Sequence, residues 1–281
     1  MVEDGMPSAS SARGEGHVTE AEFLARYDPR AFPCFAVTID VNLVTIHQGR
    51  LSILLVARSE HPYRGAWALP GGFVGADEDL PDAARRTLAR ETGLRTLPDG
   101  IHLEQLGTYG RPNRDPRTRV VSVAYLALTP DIPLPDARVS SGHVRFWPVK
   151  DLDGDDAPRL AFDHTQIVRD AVERARARLE YTTVALAFLE EPLTLADLRH
   201  VYETVWGVTL DPSNFRRKVL DTPGFLVPLG GEVRREHIGG RGRPGELYRK
   251  GTAFWLERVI ARPRPAVAEE PRAAAGRDDH T

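Results

Sequence analysis

Residues 71–94 read GGFVGADEDLPDAARRTLARETGL, a glycine-rich loop running into a helix. Asp79 is placed to cap that helix and Pro81 suits its first turn, while Ala84 and Leu88 form an apolar stripe and Gly93 ends it. Positions 87, 90 and 91 are spaced i, i+3 and i+4 and therefore share one helical face. They are Thr87, Arg90 and Glu91, so one carboxylate and one guanidinium stand together on that face.

The stretch resembles the signature box of the Nudix pyrophosphohydrolases, whose spaced pattern is met here by Gly72, Glu78, Arg86, Leu88, Glu91, Gly93 and Leu94. The resemblance implies an α-β-α sandwich. It also implies that an active enzyme presents three carboxylates from the helix to magnesium, a hard cation held by oxygen ligands. Here Thr87 and Arg90 stand where two of those acids belong, and Arg90 brings a fixed positive charge to the cation's place. The expectation is a Nudix fold kept for binding, with hydrolysis weak or lost, no catalytic residue beyond the remnants Glu78, Arg86 and Glu91, and no resident metal.

At 281 residues the chain has room for two domains that each bury a core. A net charge of −3 gives no chain-wide basic signal, so any nucleic-acid surface must be local. The single cysteine, Cys34, excludes an intramolecular disulfide and fits a reducing cytoplasm. Because it follows Pro33 at the start of an apolar run, a buried structural thiol is expected. No apolar run approaches membrane-spanning length, so a soluble cytoplasmic protein is expected. Residues 1–18 and 263–281 are small, polar or Pro/Ala-rich and read as a disordered leader and tail.

Between these ends, residues 32–46 (FPCFAVTIDVNLVTI) and 51–57 (LSILLVA) read as a hairpin, with Phe35, Val37, Ile39 and Val41 on one side and a turn at residues 47–50. IHLEQLGTYG, VVSVAYLAL and HVRFWPV read as further strands. The segment GRPNRDPRTR between the first two of these carries Arg111, Arg114, Arg117 and Arg119. It is either a solvated basic loop or a cluster of guanidinium groups for a phosphate-bearing ligand. Its place beside the box favours the second reading. Ile167, Ala171, Ala175 and Leu179 form an i, i+4 stripe that predicts a linker helix over 163–181, packing on the first domain or on a partner subunit.

In residues 182–262 three short helical patterns precede a β-ribbon, the order of a winged helix-turn-helix. Thr194 and Asp197 have capping-box spacing, and Gly207 stops the second helix. Asp211 and Pro212 begin the third. The ribbon is read as FLVPL, a Gly230-Gly231 turn, VRREHI, a basic loop and LYRK. Residues 211–250 hold nine cationic and five acidic side chains, a local +4 in a negative chain. Such a unit meets DNA, or meets a protein with its basic residues solvated.

The degenerate box, RDPR, LAFDHTQI, NFRRKVL and GRPGELYR, in this order over residues 22–250, together resemble the Nudix-related transcriptional regulators of NAD metabolism. The resemblance implies a homodimeric repressor that binds double-stranded operator DNA and senses ADP-ribose or a related NAD-derived nucleotide, with no required cofactor. Domains are then expected at 19–162 (effector-binding Nudix), 163–181 (linker helix) and 182–262 (winged helix). Carried over, the effector site takes Arg58, Gly71, Gly72, Arg86, Glu91, Arg114 and Arg117, with Trp67 or Tyr109 to stack on adenine. The DNA surface takes Ser213, Asn214, Arg216, Arg217 and Lys218 on the recognition helix and Arg241, Arg243 and Arg249 on the wing. The competing class is a pyrophosphohydrolase acting on ADP-ribose or a nucleotide sugar, in which Glu78, Glu91, Asp77 and Glu104 hold one weak magnesium ion. A third is a pure interaction protein.

Overall fold

The structure is a computed structural model that describes residues 18–93, 101–134, 142–234 and 245–263. It divides into two units, Met1–Phe35 and Ala36–Thr281. The expected leader and tail therefore lie almost wholly outside the described residues, as do Arg241 and Arg243.

In the first unit, helix α1 (Glu20–Arg26) opens with a reciprocal capping box between Thr19 and Glu22. Phe23, Tyr27 and Phe32 form a chain of ring contacts at 5.8 Å. Cys34 is exposed, which corrects the expected buried thiol. The reason is where the strand begins: at Ala36, so Cys34 precedes it. Phe35 and Val37, expected on its buried side, are 52% and 38% exposed.

The second unit is built on a seven-stranded sheet. Strands β1 (Ala36–His47) and β2 (Arg50–Ala57) form the expected hairpin, with Gln48 and Gly49 both in the left-handed region that a tight two-residue turn requires. With β3 (Trp67–Ala68), β4 (Gly71–Phe73), β5 (His102–Tyr109), β6 (Val120–Leu128) and β7 (Val144–Pro148), the order is β3-β2-β1-β6-β5, with β4 also on β1 and β7 on β2. Among the described strands, only the β1–β6 pairing is parallel. Eight consecutive residues of β1 are buried, because helices cover both faces of the sheet.

On one face lies helix α2 (Leu80–Thr92), whose Ala83, Ala84 and Leu88 pack against Ile39, Val41, Leu43 and Leu54. Asp79 caps it, Pro81 sits in its first turn, and Gly93 ends it at φ 72°. On the other face lies α3 (His164–Tyr181). Its Ile167, Val168, Ala171, Val172, Ala175 and Leu179 pack with Val44, Ile53 and Leu126 of the sheet. The same apolar cluster continues into residues 184–188, α4 (Leu195–Trp206) and α5 (Pro212–Leu220). The helix expected to link two domains is thus embedded in one core that runs from the Nudix sheet into the winged helix.

The first helical pattern of the winged helix is a 3-10 segment, Thr183–Phe188, with all six side chains buried. The Thr194–Asp197 capping box, the Gly207 stop and the Asp211 cap are formed as the sequence predicts. The ribbon pairs β8 (Leu226–Arg234) with β9 (Gly245–Lys250). Gly230 and Gly231, read as a turn, instead lie within β8 at a register irregularity, where their positive φ lets the strand bulge without ending it. Beyond β9 the chain returns to the end of α3, where Leu256 N donates to Tyr181 O and Ile260 N to Glu180 O, each at 3.0 Å. Among the described residues no helix is long and apolar enough to cross a membrane.

Candidate functional site

The box opens onto a carboxylate buried in the middle of β1. Asp40 accepts hydrogen bonds from Ser122 Oγ at 2.5 Å and Arg114 Nη2 at 3.2 Å, and His164 Nε2 lies 3.4 Å from its other oxygen. Burial alone would raise the Asp40 pKa, but His164, Ser122 and Arg114 outweigh it and hold the group at about 2. Leu69 N donates to His164 Nδ1 at 2.9 Å, so that nitrogen is unprotonated and Nε2 carries the hydrogen that faces Asp40. Arg114 also forms a two-pronged bond to Asp163, at 3.0 and 2.7 Å. Asp163 occupies the cap position of α3 yet makes no side-chain cap, because its carboxylate is turned to Arg114. RDPR and AFDH, distant in sequence, are locked together through these bonds.

Around this hub lie two adjoining cavities of about 180 and 210 Å³ that share Arg58, Leu69 and Gly71. The first takes in Gly72, Phe73, Arg114, Arg117 and Phe162, and the second takes in Glu91. The cavity wall needs glycine at position 71, where a Cβ would come within 2.6 Å of Asp40 Oδ1. Arg58 donates to the carbonyls of Pro62 and Glu60. Burial, then the adjacent positive charge of Arg117, lower its hold on its proton. Both guanidiniums lie over the Phe162 ring, at 5.0 and 5.9 Å, and Arg117 over Phe73 at 5.6 Å. Phe162 sits at φ 54°, a costly conformation for an aromatic residue, and packs edge-on against Tyr63 at 4.8 Å. Two close cations on an aromatic floor form a surface suited to phosphate.

Of the nine residues expected to hold the effector, Arg58, Gly71, Gly72, Arg114 and Arg117 line one cavity, and Glu91 lines its neighbour. Arg86 is drawn aside into a two-pronged pair with Glu78, at 2.5 and 2.7 Å, and also donates to Phe73 O. Trp67 packs edge-on against Trp147 and lines a separate cavity of about 780 Å³ with His47 and Phe146. Tyr109 donates to Asp170 on α3 at 2.7 Å, and burial followed by that bond raises its pKa. Neither expected adenine-stacking ring faces the arginine cavity; Phe162 and Phe73 do. Asp40 and His164, central here, were missed, although a carboxylate inside the apolar run TIDVNLV is a legible signal.

The residues present do not fit magnesium. Thr87 is fully buried with its hydroxyl unpaired, and Glu91 is only 7% exposed. Arg90 Nε donates to Glu91 Oε1 at 2.7 Å and Arg90 Nη2 to Gly71 O at 2.8 Å, so the guanidinium takes up the oxygens a hard cation would use. Glu78 is engaged by Arg86 and the Gly75 amide. Glu104, grouped with a weak metal site on sequence grounds, is instead bonded to Arg174 and Arg178 of α3 and to His102. Among the described residues no group of three or more His, Cys, Asp or Glu is placed to hold a metal.

The second candidate surface is on the winged helix. Phe215 and Val219 anchor α5 in the core, leaving Ser213, Asn214, Arg216 and Arg217 exposed and Lys218 half-buried. Arg217 Nη2 donates to Asn214 Oδ1 at 2.6 Å, ordering two side chains of types that read base edges. Arg249 is exposed on β9. The helix and strand present their cations outward, as a phosphate-tracking surface requires.

Residues 37–171 match the NUDIX domain and residues 185–250 the NrtR DNA-binding winged helix domain. The chain is 33% identical over 233 residues to the ADPR responsive transcriptional repressor NtrR of Acinetobacter baylyi, a likeness covering 82% of this chain and 88% of that one. It is 36% identical over 122 residues to an ADP-ribose pyrophosphatase of Methanocaldococcus jannaschii, covering 42% of this chain and 64% of that one. Among solved structures, Shewanella oneidensis NrtR complexed with a 27mer DNA matches with a TM-score of 0.68 at 35% identity, over 80% of this chain and 99% of that one. A Nudix fold with a degenerate box, followed by this winged helix and matched along most of its length by such a repressor, means that the chain belongs to the NrtR family of Nudix-related transcriptional regulators.

Proposed function

We propose that the protein is a homodimeric, cytoplasmic repressor that releases operator DNA when ADP-ribose or a related NAD-derived nucleotide enters the arginine cavity, and that it controls genes of NAD synthesis or salvage. One observation carries the reading: α3 joins the two candidate sites directly. Its first residue, His164, and the preceding Asp163 are bonded to Asp40 and Arg114 in the cavity wall. Its last turn is bonded to the segment that returns from the wing. The 18 residues between span about 27 Å at ~1.5 Å per residue. A diphosphate drawn to Arg58, Arg114 and Arg117 competes with Asp163 for Arg114 and so acts on the end of a helix whose other end holds the DNA-binding unit. Ligand shifts the equilibrium only by as much as it prefers one arrangement. In a dimer the two recognition helices must match half-sites about 34–36 Å apart, so a small change in α3 is enough to lose the register.

The test is fluorescence anisotropy of labelled DNA from upstream of its own and neighbouring genes, at fixed salt, with ADP-ribose titrated in. Specific binding released by ADP-ribose is the expected outcome. Binding insensitive to ADP-ribose removes the effector. Absence of specific binding, with magnesium-dependent release of AMP from ADP-ribose that Glu91→Gln abolishes, replaces the regulator with a pyrophosphohydrolase. Arg249→Ala is expected to weaken DNA binding and leave ADP-ribose binding intact; equal loss of both points to misfolding.

A further inference from the structure

The carbonyls of a helix's last turn have no partner within the helix. Two of those at the end of α3 are satisfied by residues far along the chain, Glu180 O by Ile260 N and Tyr181 O by Leu256 N. The donors belong to residues 251–262, a strap that follows β9. Its root is a close approach of two backbones: Gly251 N donates to Phe225 O and Ala253 N to Gly224 O, both at 2.9 Å. A Cβ on Gly251 would stand 1.8 Å from Gly224 O, so only glycine fits there. Trp255 then bridges Thr182 as an antiparallel pair, and Thr183 Oγ1 donates to Ala253 O at 2.6 Å. Leu256 and Ile260 are buried in the apolar core that also takes in α3.

The same strap grips the recognition helix α5 at its end, where Asp221 is the cap residue and Thr222 follows, 4% exposed. Glu257 N donates to Thr222 Oγ1 at 3.2 Å, and Arg258 Nη1 lies 3.6 Å from Asp221 Oδ2. A carboxylate at a helix C-terminus opposes the helix dipole, and the Arg258 guanidinium offsets that charge. Residues 257 and 258 therefore hold the recognition helix while residue 260 caps α3, and Arg262 Nη1 adds a bond to Glu173 Oε2 of α3 at 3.2 Å. We infer that Thr222 and Arg258 are positioning residues for DNA binding: through them the strap fastens the recognition helix to the last turn of α3, and a movement of α3 is passed to the DNA-facing surface. That α3 moves with ligand rests on the effector reading above; the fastening does not. Cutting the two contacts leaves the cap on α3, the buried strap residues and the DNA-facing side chains in place. What it removes is the alignment of the recognition helix, which specific half-sites demand and phosphate-driven, sequence-independent binding does not.

The test is the double variant Asp221→Asn with Thr222→Val in the full-length protein. Thr222→Val keeps the shape of the side chain and removes the acceptor for Glu257 N. Asp221→Asn breaks the pair with Arg258 and makes the surface more positive, so a loss of DNA binding cannot come from charge. By fluorescence anisotropy at fixed salt, binding to the specific fragment is expected to weaken roughly tenfold and binding to a scrambled fragment to stay within about twofold. ADP-ribose is expected to change the variant's affinity for the specific fragment less than it changes that of wild type. Equal loss on both fragments, or no loss on the specific one, overturns the positioning role. Hydrogen exchange reads the fastening without DNA: amides of residues 213–220 are expected to exchange roughly tenfold faster in the variant, while the last turn of α3 keeps its protection. Unchanged exchange in the recognition helix overturns the fastening, and circular dichroism melts separate both results from unfolding. If ADP-ribose leaves wild-type DNA affinity unmoved, the effector reading fails, and the positioning role is still decided by the ratio of specific to scrambled binding and by the exchange rates.

Discussion

Two carboxylates hold α3 and each is held at a pKa of about 2: Asp40 on β1, through His164 and through Arg114, which also binds Asp163, and Glu104 on β5, through Arg174 and Arg178. They differ in where they grip. Asp40 is bonded at the start of the helix, through Arg114 and His164, beside the arginine cavity. Glu104 is bonded further along, through Arg174 and Arg178, which reach solvent with side chains 36% and 24% exposed. Arg114, by contrast, is 4% exposed. The first grip is therefore sealed, with an uncapped helix start and Phe162 in the left-handed region; the second is partly open to solvent. On the function proposed above, a ligand that engages Arg114 would act on the first grip and leave the second as a fulcrum.

The sharpest way to break this contrast is Arg114→Ala. It leaves Asp40 buried without its guanidinium and Asp163 without either prong, and removing one partner of a buried pair typically costs about 3–5 kcal/mol. Urea unfolding monitored by circular dichroism checks it; a loss below about 1 kcal/mol would show that His164 and Ser122 suffice for Asp40. Gly71→Ala comes next. Its Cβ would meet Asp40 Oδ1 at 2.6 Å and Ile39 O at 2.8 Å, the second a backbone atom that cannot swing away. A loss of roughly 1–3 kcal/mol is expected, with weakened ADP-ribose binding because the shared cavity wall must move. Unchanged stability and affinity would mean that Asp40 has room the structure does not show.

How legible these features were depends on how far their partners lie along the chain. The caps at Asp79, Thr194 and Asp211 and the stops at Gly93 and Gly207 were read correctly because each is satisfied within a few residues. The box was legible for the same reason, and the conflict of Arg90 with a metal followed from the resemblance to the Nudix box together with the helical spacing of positions 87, 90 and 91. The grips on α3 were not. Asp40 finds Arg114 after 74 positions, and Glu104 finds Arg174 after 70. Without those partners Glu104 looked like a spare metal ligand and Tyr109 like an adenine platform, whereas both face α3. Phe162 was hidden differently, since nothing in AFDH announces that the aromatic adopts positive φ and turns under two arginines. The core that runs unbroken from sheet to winged helix was also invisible, because a stripe of Ile167, Ala171, Ala175 and Leu179 does not say what it packs against.

The smallest expected effect also tests the contrast most finely. Glu104→Gln keeps the shape of the second grip and removes its charge, and Arg174 and Arg178 can turn to water, so the loss is expected to be roughly 1–2 kcal/mol near neutral pH. Its pH dependence has a definite sign. Burial opposes ionisation of Glu104, but His102, Arg178 and Arg174 outweigh it and lower its pKa from the ordinary 4.5 to about 2. A carboxylate whose folded pKa is depressed contributes stability that is fully present above the unfolded value and is lost as pH falls through the folded one. The gap in melting temperature between wild type and Glu104→Gln should therefore be constant above 4.5 and close as pH falls from there towards 2. Both proteins lose the Asp40 contribution over an overlapping window, from 3.8 towards 2, so that loss cancels in the difference. A gap that persists unchanged to low pH would mean that Glu104 acts through its shape and packing alone, and α3 would then have one electrostatic grip, the one beside the cavity.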